Sequence, residues 1–255
     1  MNFFFGINNG LYKSELTIPK FQNSGAYSNK IRLYSIFIND NKWKIAHQDS
    51  REDKDFFYLD EGKIDSQKIF FIGKTEEIDL DSGDLEYELK NFSNFTDTTP
   101  EYRANFKIKN TTGGYSSYQS DYPFMMTKGI GNIVSSTYVL SNTDSDKNYL
   151  IFRNIYIKPI IEKFKVHIVD IKNKKKLFTT EFKTNYSNIL EIDKLYINKN
   201  CYFVSEKYIG IPIFVSEKNG HISVEHTLPP SSYVLSKNKY ELTKQFKKKI
   251  YDIIV

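Results

Sequence analysis

IGIPIFVSEKNGHISVEHTLPP, residues Ile209 to Pro230, holds the clearest structural signal in the chain. A β-rich run, Ile211 to Ser216, is followed by Asn219-Gly220 and then by a second run, His221 to Thr227. Both central residues of a type I′ hairpin turn need positive φ, which Asn and Gly tolerate best, so the pair predicts a tight hairpin. Its register sets Lys218 against His221, Val215 against Val224, Phe214 against Glu225 and Ile213 against His226. Opposed residues share a face. Ile213, Val215, Ile222, Val224 and His226 form an expected dry side, and Phe214, Ser216, His221, Ser223 and Glu225 an expected wet side.

The rest of the chain reads as more of the same. Its 255 residues suffice for one large β domain or two ordinary ones, and an aromatic content of 16%, with 19 Tyr and 20 Phe, suits sheet surfaces. A codon bias toward Lys, Asn, Ile, Tyr and Phe would produce the same composition. Phe3 to Ile7, Asn8-Asn9-Gly10 and Leu11 to Ile18 predict a first hairpin closed by Pro19. Lys30 to Ile38, Trp43 to His47, Phe56 to Leu59 and Lys68 to Ile72 follow as short strands. NFSNFTDTTP, Asn91 to Pro100, has the polarity of a linker and places a domain boundary between residues 99 and 100. Tyr102 to Ile108 alternates as a half-buried strand. TTGGYSSYQSDYPFMMTKGIG, residues 111 to 131, lacks periodicity and reads as a long loop. Strands resume over Tyr149 to Ile157, Phe164 to Ile171, Leu177 to Phe182, Ile189 to Ile192 and Tyr202 to Val204, with the lysines from Lys172 at a hairpin tip. At the end, Asn238 and Glu241 suggest a capping box. Leu242, Phe246, Ile250, Ile253 and Ile254 then recur at helical spacing over 239–255.

The expected architecture is mainly β: antiparallel β-sandwich-like domains at 1–99 and 100–255, with a C-terminal amphipathic α-helix docked on the second.

The formal charge of +5 hides an asymmetry, since residues 1 to 100 carry 12 Lys+Arg against 17 Asp+Glu and the remainder 24 against 14. The lysines are scattered between strands and no nucleic-acid module accompanies them, so no nucleic-acid partner is expected. The start lacks the basic and apolar regions of a signal peptide, and no run reaches the ~18 apolar residues of a membrane span. A cytoplasmic protein without membrane association is expected. Cys201, the single cysteine, excludes an intrachain disulfide and a cysteine-based zinc site. Between β-formers it reads as a buried, inert thiol.

Candidate chemistry is sparse. His221 and Glu225 have the i, i+4 spacing of a helical metal site, but on a strand that spacing is about 13 Å, too far for one ion. His226 points to the other face. Glu225 and His221 remain as separate wet-face groups, and His226 beside Ile213 reads as a core histidine. His47 and His167 are isolated in sequence. The acidic stretch holding Asp79, Asp81, Asp84, Glu86 and Glu88 does not fit the EF-hand pattern and reads as a solvated loop. No nucleophile elbow, Walker loop or dinucleotide fingerprint is present, and no cofactor is expected.

The best binding feature is the tyrosine-rich stretch with Tyr115, Tyr118, Gln119, Asp121 and Tyr122. Tyrosine supplies stiff amphipathic area, and Ser, Gly and Gln add adaptable hydrogen bonds. A connection packing its rings back onto the sheet would use the same residues. The leading expectation is a non-catalytic module that binds a glycan or a protein surface. The alternatives are a carbohydrate-modifying enzyme using His221 or Glu225, and a structural component of a larger assembly. Tyrosines on an open platform would favour binding, and buried tyrosines would not.

Overall fold

The computed structural model describes residues 2–20, 31–74, 85–86, 89, 103–226 and 236–255. The linker-like stretch at 91–100, the polar loop through Gly25, most of the acidic stretch from Glu76 to Glu88 and the Pro229-Pro230 end of the last hairpin lie outside them. The chain forms two compact units, Met1–Lys128 with Tyr156–Ile160, and Gly129–Ile155 with Ile161–Val255. The protein is mainly β, with antiparallel sheets and a C-terminal helix.

The first unit contains β1 (Asn2–Phe5), β2 (Tyr12–Pro19), β3 (Ile31–Asn39), β4 (Lys42–His47), β5 (Arg51–Glu52), β6 (Phe56–Leu59), β7 (Ile69–Lys74), β8 (Leu85–Glu86), β9 (Ala104–Asn110), β10 (Tyr115–Ser120) and β11 (Tyr122–Pro123). A six-stranded sheet has the order β11-β1-β7-β3-β4-β8, and a five-stranded sheet the order β10-β9-β2-β6-β5. Phe5 of the first sheet and Phe106 of the second bring their rings to 6.0 Å. Trp43 donates from Nε1 to the carbonyl of Ile157 at 2.8 Å, and the Ile157 N–H donates to Thr127, tying Tyr156–Ile160 into this unit.

The expected first hairpin does not form. β1 pairs with β7 and β11, whereas β2 pairs with β6 and β9, and only a bridge between Asn8 and Lys13 joins the two runs. Side chains take up the backbone groups that a hairpin ladder would have paired. The buried Ser14 hydroxyl accepts from Ile7 N–H at 2.8 Å and donates to Ile7 O at 2.9 Å, while Asn9 Oδ1 accepts from Leu11 and Tyr12 N–H. The chain turns a corner from one sheet into the other. By contrast, Asp40 and Asn41, with φ of 50° and 58°, make the tight β3–β4 connection.

The second unit contains β12 (Ile133–Ser136), β13 (Lys147–Arg153), β14 (Lys163–Asp170), β15 (Lys175–Lys183), β16 (Ser187–Glu191), β17 (Cys201–Ser205), β18 (Ile211–Lys218) and β19 (His221–His226). Its four-stranded sheets have the orders β12-β17-β14-β15 and β16-β13-β18-β19. Phe152 of β13 joins them, its ring lying 6.2, 5.8 and 5.5 Å from those of Phe164, Phe182 and Phe203.

The β18–β19 hairpin has the register expected from Asn219-Gly220, from Lys218 opposite His221 to Ile213 opposite His226, and φ of 51° and 80° at the turn. The expected dry and wet sides hold only on β19, where His221, Ser223 and Glu225 are exposed and Ile222, Val224 and His226 half-buried. On β18 both faces are buried, because Phe214 shares the face of Leu150 and Phe152 that meets the other sheet. A strand flanked on both sides is covered where an edge strand is not.

The terminal helix, Lys239–Ile254, docks as its spacing predicts. Ile250 and Ile254 pack into a cluster with Val134, Val169 and Val204, and Phe246 and Ile253 flank it. Leu242, expected in the apolar stripe, is 46% exposed. The capping box is absent: the Asn238 side chain makes no cap bond, and the backbone N–H of Asn238 donates to Ser236 Oγ. At the other end Lys176 Nζ donates to the Ile254 carbonyl at 2.8 Å, the favourable position for a cation at a helix C-terminus. No helix among the described residues is long and apolar enough to cross a membrane.

Candidate functional site

The tyrosine-rich stretch is a strand where a loop was expected. Tyr115 to Ser120 form β10, the end strand of the five-stranded sheet, paired with β9 from Tyr115 opposite Lys109 to Ser120 opposite Ala104. Asn110 makes this possible by accepting at Oδ1 from Gly114 N–H, while Gly113 takes a φ of 92° in the turn. A strand sends alternate side chains to opposite faces, so the expected binding residues divide. Tyr118 is 7% exposed, packs edge-on against Phe106 and belongs to the core, as does the fully buried Tyr122 of β11. Burial, with a smaller contribution from Asp121, drives the Tyr118 hydroxyl far above the usual phenol range. Tyr115, 63% exposed, and the exposed Gln119 lie on the opposite face. Asp121, just past the strand, pairs with Arg103 at 3.6 Å.

That outer face is ordered by registry. Tyr115, Lys109 and Lys13 form one row, Ser117, Lys107 and Glu15 the next, and Gln119, Asn105 and Thr17 a third. Lys107 Nζ stands 4.6 Å from the centroid of the Tyr115 ring and restrains it. Glu15 binds Lys109 and lies 3.8 Å from Lys107, and Glu61 lies 3.0 Å from Lys109 and 4.0 Å from Lys13. Hydrogen bonds to Glu15 and then Glu61 raise the Lys109 ammonium above its usual pKa. The lysines of this face are therefore answered by carboxylates. What it offers a ligand is an aromatic ring, hydroxyls and two carboxamides, with little unbalanced charge.

His221 and Glu225 stand in the second unit, both exposed on one face of β19 at the separation that strand geometry dictates. Among the described residues no group of three or more His, Cys, Asp or Glu could hold a metal ion. Cys201 is buried, accepts from Asn198 Nδ2 at 3.0 Å, and has its thiol pKa pushed up by burial. These features describe an inert thiol.

One constellation was illegible in the sequence. His167 on β14, 2% exposed, has Nδ1 2.8 Å from Thr179 Oγ1 on β15 and Nε2 2.5 Å from Glu206 Oε1, just beyond β17. An ionised carboxylate only accepts, so the imidazole carries its proton on Nε2 and accepts the Thr179 hydroxyl proton at Nδ1. Burial lowers the His167 pKa below 6.5 against the opposing pull of Glu206. Lys165 and Lys176 add positive charge nearby, in the same direction as burial. The available signal was the β14 alternation, which puts His167 on the polar face with Lys165. Its partner on β15 was hidden by a register shift between Ile168 and Val169: counted back from the tip, His167 would meet Phe178 rather than Thr179. No protein-family model, no curated protein and no solved structure matches this chain.

Proposed function

We propose that the protein is a non-catalytic binding module, and that its ligand is a neutral glycan laid across the outer face of the five-stranded sheet. The observation that carries this reading is Tyr115: a ring 63% exposed, fixed on a strand and restrained by Lys107, on the same face as Gln119 two pleats, or about 13 Å, along the strand. A sugar presents an apolar face ringed by hydroxyls, which an aromatic ring and flanking carboxamides complement. Ion pairing of the neighbouring lysines to Glu15 and Glu61 favours an uncharged ligand over a phosphate or an acidic glycan. Tyr118, edge-on to Phe106, then holds the face from beneath, and Asp121 sits at its margin. The ring contacts between the sheets of each unit support a sandwich-like arrangement within it, and a single buried thiol fits a cytoplasmic setting.

A glycan array probed with the wild-type protein and with Tyr115→Ala/Gln119→Ala tests this. Both side chains project from the core, so the variant keeps the fold. Binding to a neutral glycan that falls at least about tenfold in the variant is expected, equivalent to ~1.4 kcal/mol. Equal binding by both proteins removes the assignment to this face, and the absence of glycan binding with capture of a protein ligand replaces the glycan.

A further inference from the structure

We propose that Thr179, His167 and Glu206 form a hydroxyl-activating relay that makes Thr179 an acceptor of acyl groups from small activated esters. The inference is independent of the glycan-binding face, which lies in the other unit. A nucleophilic hydroxyl needs a base within hydrogen-bond reach, and the base needs a third group to fix its tautomer. Thr179 Oγ1 is 2.8 Å from His167 Nδ1, and Glu206 at 2.5 Å holds the far nitrogen. Thr179 is exposed, so an acyl donor reaches it from solvent, whereas the base is buried beneath it. His167, kept neutral by its burial, is in the state that accepts a proton at neutral pH.

In the step proposed, Thr179 Oγ1 attacks the carbonyl carbon of the ester while its proton passes to His167 Nδ1. The bond to the leaving oxygen breaks, the alkoxide or phenolate departs with the electron pair, and it recovers the proton from Nδ1. Thr179 is left as an ester, and the imidazole returns to its starting state. Glu206 is a positioning residue that holds Nε2–H throughout and stabilises the transient imidazolium.

The probe is p-nitrophenyl acetate with the full-length chain, read by peptide mass spectrometry. Hydroxylamine treatment distinguishes the labile ester on Thr179 from stable amides on lysines. Acetylation of Thr179 is expected to outpace that of the exposed Ser223 by about 100-fold or more, and His167→Gln to remove most of that advantage. Thr179→Val abolishes the labile adduct at this peptide and Thr179→Ser retains it, each without disturbing packing. The rate rises with pH through a midpoint below 6.5 and Glu206→Gln moves that midpoint, a shift that a purely structural role would not produce. Thr179 acetylation no faster than that of Ser223, or a Thr179 rate indifferent to Glu206→Gln and to pH, overturns the proposal.

Discussion

Gly210→Ala is expected to be the most damaging single methyl addition in the second unit. Gly210 precedes β18, and a Cβ at this position would stand 2.5 Å from Cε1 and Cζ of Phe152 and 2.6 Å from the backbone oxygen of Arg153. Neither obstacle can give way. The Phe152 ring is fully buried and wedged by the rings of Phe164, Phe182 and Phe203, and the Arg153 carbonyl belongs to the β13 backbone that pairs with β18. Overpacking of a filled core costs about 1–3 kcal/mol, and a methyl caught between a locked ring and a backbone oxygen belongs at the upper end, ~3 kcal/mol. With an m-value of ~2 kcal/mol/M, that lowers the urea midpoint by about 1.5 M. Unfolding followed by far-UV circular dichroism, with hydrogen exchange at β13 and β18 amides, locates the loss. Trp43 fluorescence reports the first unit separately. Gly131→Ala is the control, because a Cβ there would meet only the Ile209 side chain at 3.5 and 3.7 Å. Phe152→Leu added to Gly210→Ala recovers only part of the loss, since the Arg153 oxygen remains. A Gly210→Ala stability within ~0.5 kcal/mol of wild type, no lower than that of the control, would refute the reasoning.

Two further outcomes follow from the terminal helix and from His167. Ile250→Ala, at a fully buried position between Val134, Val169 and Val204, costs about 3 kcal/mol, whereas Leu242→Ala, half exposed, costs under ~0.5 kcal/mol; urea titration of both separates a docked helix from an undocked one. The folded chain protonates His167 less readily than the unfolded chain, whose histidine titrates near 6.5. The stability linked to His167 is therefore whole above pH 6.5 and lost as pH falls through the depressed folded pKa. Urea midpoints measured from about pH 7.5 down to about pH 5 fall in the wild type, and the slope flattens in His167→Gln; an unchanged slope contradicts the assignment.

The elements legible from local chemistry were those in which one rule suffices. Asn219-Gly220 specified a turn with positive φ at both positions, and the β18–β19 register followed from it. Alternation placed Ala104, Phe106 and Ile108 in the core, and a 3.6-residue period placed Ile250 and Ile254 against a sheet. Asn8-Asn9-Gly10 looked equally sound and was misleading, because the Ser14 hydroxyl and Asn9 Oδ1 take up backbone groups at the corner and let the chain leave one sheet for another instead of folding back. The tyrosine-rich stretch looked irregular because Tyr and Ser occupy both faces of β10, so polarity alone could not separate the buried Tyr118 from the exposed Tyr115.

By itself, the sequence determined the class of the protein, mostly antiparallel strands with one terminal helix, since turn chemistry and hydrophobic period act over a few residues. It determined too that Cys201 forms no intrachain disulfide. Only the tertiary structure decided which strands share a sheet, which face of β10 meets solvent, and that His167 lies between Thr179 and Glu206. Those outcomes depend on pairings between residues tens of positions apart and on a register shift within β14 and β15, and neither is encoded in the pattern of any one segment.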